Sequence, residues 1–151
     1  NVVEVKNTMK ELKEKQDEVD KQKDELKEEI RKVKELAEDN ERFAIYLHTQ
    51  AMTLHATMIN RNDIIFYENH LALAQIVNFN TLDIDEVNLR LNELSNTLKS
   101  INKNIEMTQK RKLHFDKIDS EIRESKSYPW IKTRYEDIIS EFISKVKVLE
   151  E

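Results

Sequence analysis

The first helix of this chain is specified by residues 2–33, which read VVEVKNTMKELKEKQDEVDKQKDELKEEIRKV. Apolar residues recur here every three and four positions, the spacing that places them on one face of an α-helix. Heptads counted from Val2 keep one register as far as Met58, and such a strict repeat winds helices into a left-handed coiled coil. We therefore predict a dimerisation seam of a and d positions, formed by Val2, Val5, Met9, Leu12, Gln16, Val19, Lys23, Leu26, Ile30 and Val33.

Charged residues beside the seam indicate how two such helices would pair. Lys15 at a g position faces Asp20 at the following e position, and Glu29 faces Lys34 in the same way, so both pairs attract in a parallel homodimer. The alternative is a monomeric hairpin, in which a returning helix over residues 83–125 lies antiparallel along the first helix. Both arrangements bury the apolar seam.

Polar residues also occupy the seam, with Gln16 and Lys23 at a positions and Asn40 at a d position. Such residues lower the stability of a coiled coil, but they can fix its register and oligomeric state. A second interpretation is that they only weaken a marginal coil.

The composition changes sharply near Phe43. Residues 1–42 contain 25 charged residues, whereas residues 43–98 contain only 8 among 29 apolar ones. Leu36, Phe43 and Ile45 also widen the apolar face, as happens where a coiled coil enters a helical bundle. We therefore predict two domains, a coiled coil over residues 1–42 and a helical bundle region over residues 43–151.

Four helices are predicted in the bundle region, at about residues 43–59, 63–79, 83–125 and 129–150. Asp83 and Glu86 have the spacing of a capping box at the start of the third helix. Pro129 has the fixed backbone angle suited to the first turn of the fourth. The predicted fold class is all-α and elongated, with a long N-terminal coiled-coil helix continuing into a small bundle of about four helices.

Composition excludes several kinds of chemistry. The chain has no glycine, which phosphate-cradling nucleotide loops require, and no cysteine, which disulfides and thiolate zinc sites require. No apolar run approaches the roughly 18 residues of a membrane-spanning helix. We expect a cytoplasmic or otherwise intracellular protein without a cofactor. The chain begins at Asn1 without methionine and ends at Glu151 in a helical pattern, so we also expect a piece of a longer protein.

The four histidines do not have the spacing of a metal or catalytic site. His48 and His55 are seven residues apart, two helical turns rather than one, and His70 and His114 have no acidic partner at metal-ligand spacing. Acidic residues of the first helix alternate with lysine at three- and four-residue spacing, which is typical of a solvated helix face. We therefore expect no catalytic residue, no metal ligand and no small-molecule substrate.

A basic stripe over residues 99–134 stands out in this acidic chain, because it carries ten basic and five acidic residues against an overall net charge of −5. Three aromatic residues follow within or just after it, around Pro129. The stripe could contact an acidic protein, a nucleic acid or an anionic membrane, or only balance acidic helices of its own chain. The predicted partner contacts are Lys110, Arg111, Lys112, Lys117, Arg123, Tyr128, Trp130 and Tyr135.

These patterns favour a non-enzymatic structural or adaptor protein. The coil would set dimerisation and spacing, while the helical end would scaffold a cytoskeletal, cell-division, chromosome-segregation or trafficking complex. The alternative function is a peripheral membrane or nucleic-acid binding module that uses the basic stripe, and the chain's net negative charge disfavours it.

Overall fold

A computed structural model describes residues 1–101 and 104–150 of the chain. The described part is mainly helical and begins with one long helix, as the sequence predicts. It contains five α-helices and two three-residue β-strands: α1 (Val2–Met58), α2 (Asn62–Ile76), α3 (Ile84–Ser100), β1 (Ile105–Met107), α4 (Gln109–Arg123), α5 (Tyr128–Ser144) and β2 (Val146–Val148). The chain divides into two compact units, Asn1–Glu41 (unit 1) and Arg42–Glu151 (unit 2).

Unit 1 consists of the first part of α1. Its polar face is linked by side chains one turn apart, among which Arg31 binds both Glu28 and Glu35. Gln16, at a predicted seam position, likewise donates a hydrogen bond from Nε2 to Asp20 Oδ1 over 3.0 Å. Each such exposed pair stabilises a helix by only about 0.2–0.5 kcal/mol, so these pairs support the helix without giving unit 1 a core.

Unit 2 begins with the end of α1. A short connection then leads to α2. Asn60 has a left-handed backbone with φ of 56°, a conformation that asparagine adopts more readily than most residues. The chain turns there, and α2 begins at Asn62. Helix α2 therefore begins one residue before the predicted start at about residue 63, and Arg61 at the N-cap position makes no capping side-chain bond.

Helix α3 begins at the predicted capping residue. The Asp83 side chain accepts a hydrogen bond from the Glu86 backbone N–H, and the apolar residues Val87, Leu91 and Leu94 then lie buried on one face. Capping of this kind contributes about 1 kcal/mol. Pro129 likewise lies in the first turn of α5, as predicted.

The predicted helix over residues 83–125 is wrong, because α3 ends at Ser100 and α4 begins at Gln109. Ile101 has an extended backbone, and Asn104 is left-handed with φ of 71°. Lys145 Nζ donates to the carbonyl oxygens of Leu98 (2.7 Å) and Ile101 (3.2 Å), and so satisfies the carbonyl groups at the end of α3. The helix over residues 83–125 on which the hairpin alternative was based is thus divided, in the described residues, between α3 and α4.

Strand β1 replaces the middle of the predicted helix. It pairs in parallel with β2, with Ile105 opposite Val146 and Met107 opposite Val148. Helix α5 consequently ends at Ser144, not near residue 150 as predicted. The described bundle region thus contains five helical segments, the end of α1 and helices α2 to α5. The prediction was about four, and the difference arises because one predicted helix is divided into α3 and α4.

The core of unit 2 lies where α2, α3, α4 and α5 meet. The rings of Phe66 on α2 and Phe142 on α5 stack with centroids 4.0 Å apart, and Phe115 on α4 lies 5.3 Å from Phe142. Leu94 on α3 and Ile122 on α4 are completely buried. Burying a side chain of this size stabilises a fold by roughly 1.5–3 kcal/mol, so this cluster holds the four helices together.

Candidate interaction surfaces

The predicted seam residues of unit 1 all lie exposed along one side of α1. Exposed fractions of the apolar members range from 42% for Val19 to 69% for Val2, with Leu12 and Leu26 both at 60%. Isolated exposed apolar side chains are common on protein surfaces, but a continuous row of them is typical of an interaction site. The single chain therefore leaves this face without a covering partner.

The end of α1 in unit 2 has two different sides. Ile45, Thr49 and Ala56 are buried, while Leu47 and Leu54 are 51% and 64% exposed. Phe43 is also exposed, at 63%, so of these two residues predicted to widen the apolar face, Ile45 is covered within unit 2 and Phe43 is not. The helical rotation between positions 43 and 45 carries these neighbouring side chains to different sides, and only one side packs on the other helices of unit 2.

Polar contacts fix the buried side of this segment. Arg42 donates to the Thr81 carbonyl oxygen, and its guanidinium lies 4.8 Å from the centre of the Phe79 ring and 3.6 Å from Glu86 Oε2. Because these contacts join α1 to α3 and to the segment before it, they help to set which side of α1 is left exposed in unit 2.

The basic stripe is divided among the end of α3, α4 and α5. Several of its members are engaged within the chain: Lys112 with Asp116, Arg123 with Asp119, and Arg134 with Asn92. Lys103 lies outside the described residues. The exposed members include Lys99, Lys110, Arg111, Lys117, Lys126 and Lys132. The described members therefore lie on separate elements, and part of their charge is balanced locally.

The three aromatic residues around Pro129 differ in exposure. Trp130 is 83% exposed, Tyr128 is half-buried, and Tyr135 is completely buried. The prediction of Tyr135 as a partner contact is therefore wrong, because its side chain packs inside unit 2. Trp130 retains the exposure that a partner contact requires, and aromatic side chains are frequent energetic centres of protein interfaces.

Tyr135 lies at the centre of a polar network that the sequence does not predict. Its hydroxyl donates to Asp119 Oδ1 over 2.6 Å, and His70 Nε2 lies 2.9 Å from the same hydroxyl oxygen. Since the tyrosine proton is given to Asp119, His70 carries its proton on Nε2 and donates to Tyr135. Arg123 Nε binds both Asp119 oxygens at 3.0 Å, and Arg123 Nη1 donates to the Tyr128 hydroxyl.

The network joins α2, α4 and α5 inside unit 2. His70 is completely buried, and this burial lowers its pKa to about 4, against a smaller opposing effect of Asp119. Burial and the bond to Asp119 raise the pKa of the Tyr135 hydroxyl above its usual value. Both groups are neutral near pH 7. The sequence gives no signal for this network, because its members lie on three helices at unrelated spacings.

The remaining histidines do not converge. His48 Nε2 lies 3.6 Å from Glu68 Oε2, and His55 and His114 are exposed. Burial raises the pKa of the Glu68 carboxyl. Within residues 1–101 and 104–150, no three or more His, Cys, Asp or Glu side chains are placed to hold a metal ion together. No helix in the same ranges is long and apolar enough to cross a bilayer.

A cavity of about 400 Å³ opens between α2, β1, α4 and α5. Its wall is largely apolar and includes Phe66, Phe115 and Phe142. Charges of both signs lie at its edge, where Asp63 binds Arg61 at 2.8 Å and lies 4.0 Å from Arg111. Arg61 also lowers the pKa of the Asp63 carboxyl. Because acidic and basic side chains lie together at this edge, they favour neither an anionic nor a cationic ligand.

Comparison of the chain with protein-family models, with curated proteins and with solved structures returned no match, so functional inference rests on the chain's own residues.

Proposed function

We propose that this chain is a non-enzymatic structural or adaptor protein that dimerises in parallel through the unit 1 part of α1 and presents unit 2 to a protein partner. The observation that supports this most directly is the exposed heptad row of unit 1, which keeps one register from Val2 to Val33. An amphipathic helix cannot bury such a seam alone, and a second helix with the same repeat covers it by packing side chains into complementary holes.

Dimerisation would stabilise the chain through apolar burial, while the flanking charges would select the partner. Lys15 with Asp20 and Glu29 with Lys34 attract each other across a parallel pair in register. All four of these side chains are exposed in the single chain and therefore accessible to a second helix. In register, Gln16 and Lys23 each meet their own counterpart, so polar groups face polar groups, whereas a shift by one heptad would place Lys23 against Ile30 of the second helix.

Unit 2 would supply the contact with a further protein. Trp130, at 83% exposure, is its most accessible large apolar side chain, and Lys126 and Lys132 are exposed close to it in sequence. Such a combination suits an acidic protein surface with an apolar depression. In this proposal the protein scaffolds a cellular complex by geometry, and no bond is made or broken.

Light scattering coupled to size-exclusion chromatography tests the dimer. The wild-type chain is expected at twice its 18.0 kDa mass, and a Leu12→Lys/Leu26→Lys double variant at the single-chain mass. Two lysines on each chain place four charges in the seam of the dimer, which costs several kcal/mol of association free energy. Leu113→Lys is the matched control, because Leu113 is equally exposed but lies on α4, and it should leave the dimer intact. A monomeric wild-type chain would refute the proposal.

A further inference from the structure

The last part of α1, from Phe43 to Met58, contains no Asp, Glu, Lys or Arg. Solvent-exposed helix faces usually carry charged residues, as α1 does throughout unit 1. Here the exposed side instead presents large apolar groups, with Phe43 at 63%, Leu54 at 64% and Met58 at 75% exposure. An uncharged and largely apolar exposed surface on one helix is typical of an interface.

The exposed residues also follow the heptad repeat of unit 1. Counted from Val2, Leu47 and Leu54 are d positions and Met58 is an a position, while Phe43 is a flanking g position. The buried Ile45, by contrast, is a b position. Within unit 2, this segment of α1 is therefore buried on the side opposite its a and d positions. The a and d side chains remain exposed.

We propose that this face, the α1 residues 43–58, packs against the same face of a second copy of the chain, so that the two copies of unit 2 contact each other directly. The inference rests on the proposed parallel dimer and extends it, because a dimer held by unit 1 alone would leave the two copies of unit 2 without a mutual contact.

The choice of a second copy follows from register and charge. In a parallel pair in register each a and d residue meets its own counterpart, so Leu47 and Leu54 each pair with themselves. The flanking g and e positions would place Phe43 beside His48 and Gln50 beside His55, and no Asp, Glu, Lys or Arg lies among residues 43–58. An acidic or basic partner protein would find no opposite charge on this face.

Single-cysteine crosslinking tests this arrangement, because the chain has no cysteine of its own. A disulfide forms only when the two Cα atoms approach within about 7 Å, so it reports a specific contact. The variants are Leu26→Cys for the unit 1 seam, Leu54→Cys for the unit 2 face, and Leu113→Cys as a matched exposed control on α4. Each full-length variant is oxidised mildly and analysed by non-reducing electrophoresis.

The proposal expects rapid dimer crosslinks for Leu26→Cys and Leu54→Cys, and none for Leu113→Cys. A crosslink at position 26 without one at position 54 would overturn this inference and leave the proposed parallel dimer standing. Absence of both crosslinks would overturn both proposals. Equal crosslinking of the α4 control would indicate random collision, and it too would overturn the inference.

A second measurement removes the dependence on cysteine reactivity. Leu54→Gln should raise the dimer dissociation constant at least about tenfold, equivalent to about 1.4 kcal/mol, as measured by analytical ultracentrifugation. Leu113→Gln should leave it unchanged. Equal dissociation constants for wild type and Leu54→Gln would show that position 54 is outside the interface and would overturn this inference. If both proteins were still dimers, the proposed contact through unit 1 would stand.

Discussion

Replacing Tyr135 by phenylalanine removes one hydroxyl from the buried polar network and leaves the ring, so packing is unchanged. The hydroxyl makes two hydrogen bonds, to Asp119 at 2.6 Å and to His70 at 2.9 Å. Asp119 keeps Arg123 as a partner, and its side chain is 22% exposed, so water can replace part of the lost bond. His70 is completely buried, and Nδ1 already makes no hydrogen bond within the described chain.

The cost therefore comes mainly from His70, whose Nε2–H loses its acceptor. A buried donor without a partner costs about 1–3 kcal/mol. Phenylalanine fills the same space, so no cavity energy is added. We expect Tyr135→Phe to lower the free energy of unfolding of unit 2 by about 2 kcal/mol, a large fraction of the stability of a typical domain.

Urea unfolding followed by near-ultraviolet circular dichroism measures this change. Every aromatic residue of the chain lies at or after Phe43, so the near-ultraviolet signal comes from unit 2 without interference from unit 1. Tyr67→Phe is the matched control, because Tyr67 is exposed and should change stability by less than about 0.5 kcal/mol. If both variants unfold at the same urea concentration as wild type, the network does not stabilise the fold as argued.

Three further predictions concern the helix cap, the seam and the buried histidine. Thr108→Ala removes the bond that Thr108 Oγ1 accepts from the Arg111 N–H and should cost about 1 kcal/mol in urea unfolding, whereas Thr133→Ala, at an exposed site, should not. Lys23→Ile should raise the stability of the dimer in thermal unfolding by on the order of 1–2 kcal/mol, whereas Lys21→Ile, at an outward-facing position, should not. Equal effects of the two substitutions would show that Lys23 is not a seam residue. The pKa of His70 falls from 6.5 to about 4 on folding, so the unfolded chain binds its proton first and stability declines as the pH drops from 6.5 to 4. The decline attributable to this group is about 3 kcal/mol, and His70→Gln should remove that part of the pH dependence measured by urea unfolding at each pH.

The sequence predicted the exposed apolar face of unit 1, but it did not predict which side of α1 is exposed in unit 2. The unit 1 seam was placed on one helix face, because heptad spacing alone determines which side chains share a face. In the segment after Phe43 the repeat could not indicate which side the bundle covers, since both sides carry apolar residues. Ile45 is covered and Phe43 is not, and on either side of Ile45 Arg42 contacts Glu86 of α3 and His48 contacts Glu68 of α2.

The sequence by itself determined those features that depend on residues close together in the chain. The long helix α1, the turn at Asn60, the Asp83 cap and the start of α5 at Pro129 all follow from interactions within about one helical turn.

Only the tertiary structure decided the end of α3 and the buried network. Ile101 and Ile105 continue the heptad spacing of α3, so local pattern alone predicts a helix there. The chain is extended at Ile105 instead, because β1 pairs with β2 and Lys145 binds the carbonyl groups at the end of α3. His70 meets Tyr135 across 65 positions of sequence. Such contacts form only when the helices pack together, so the spacing of residues close together in the sequence does not predict them.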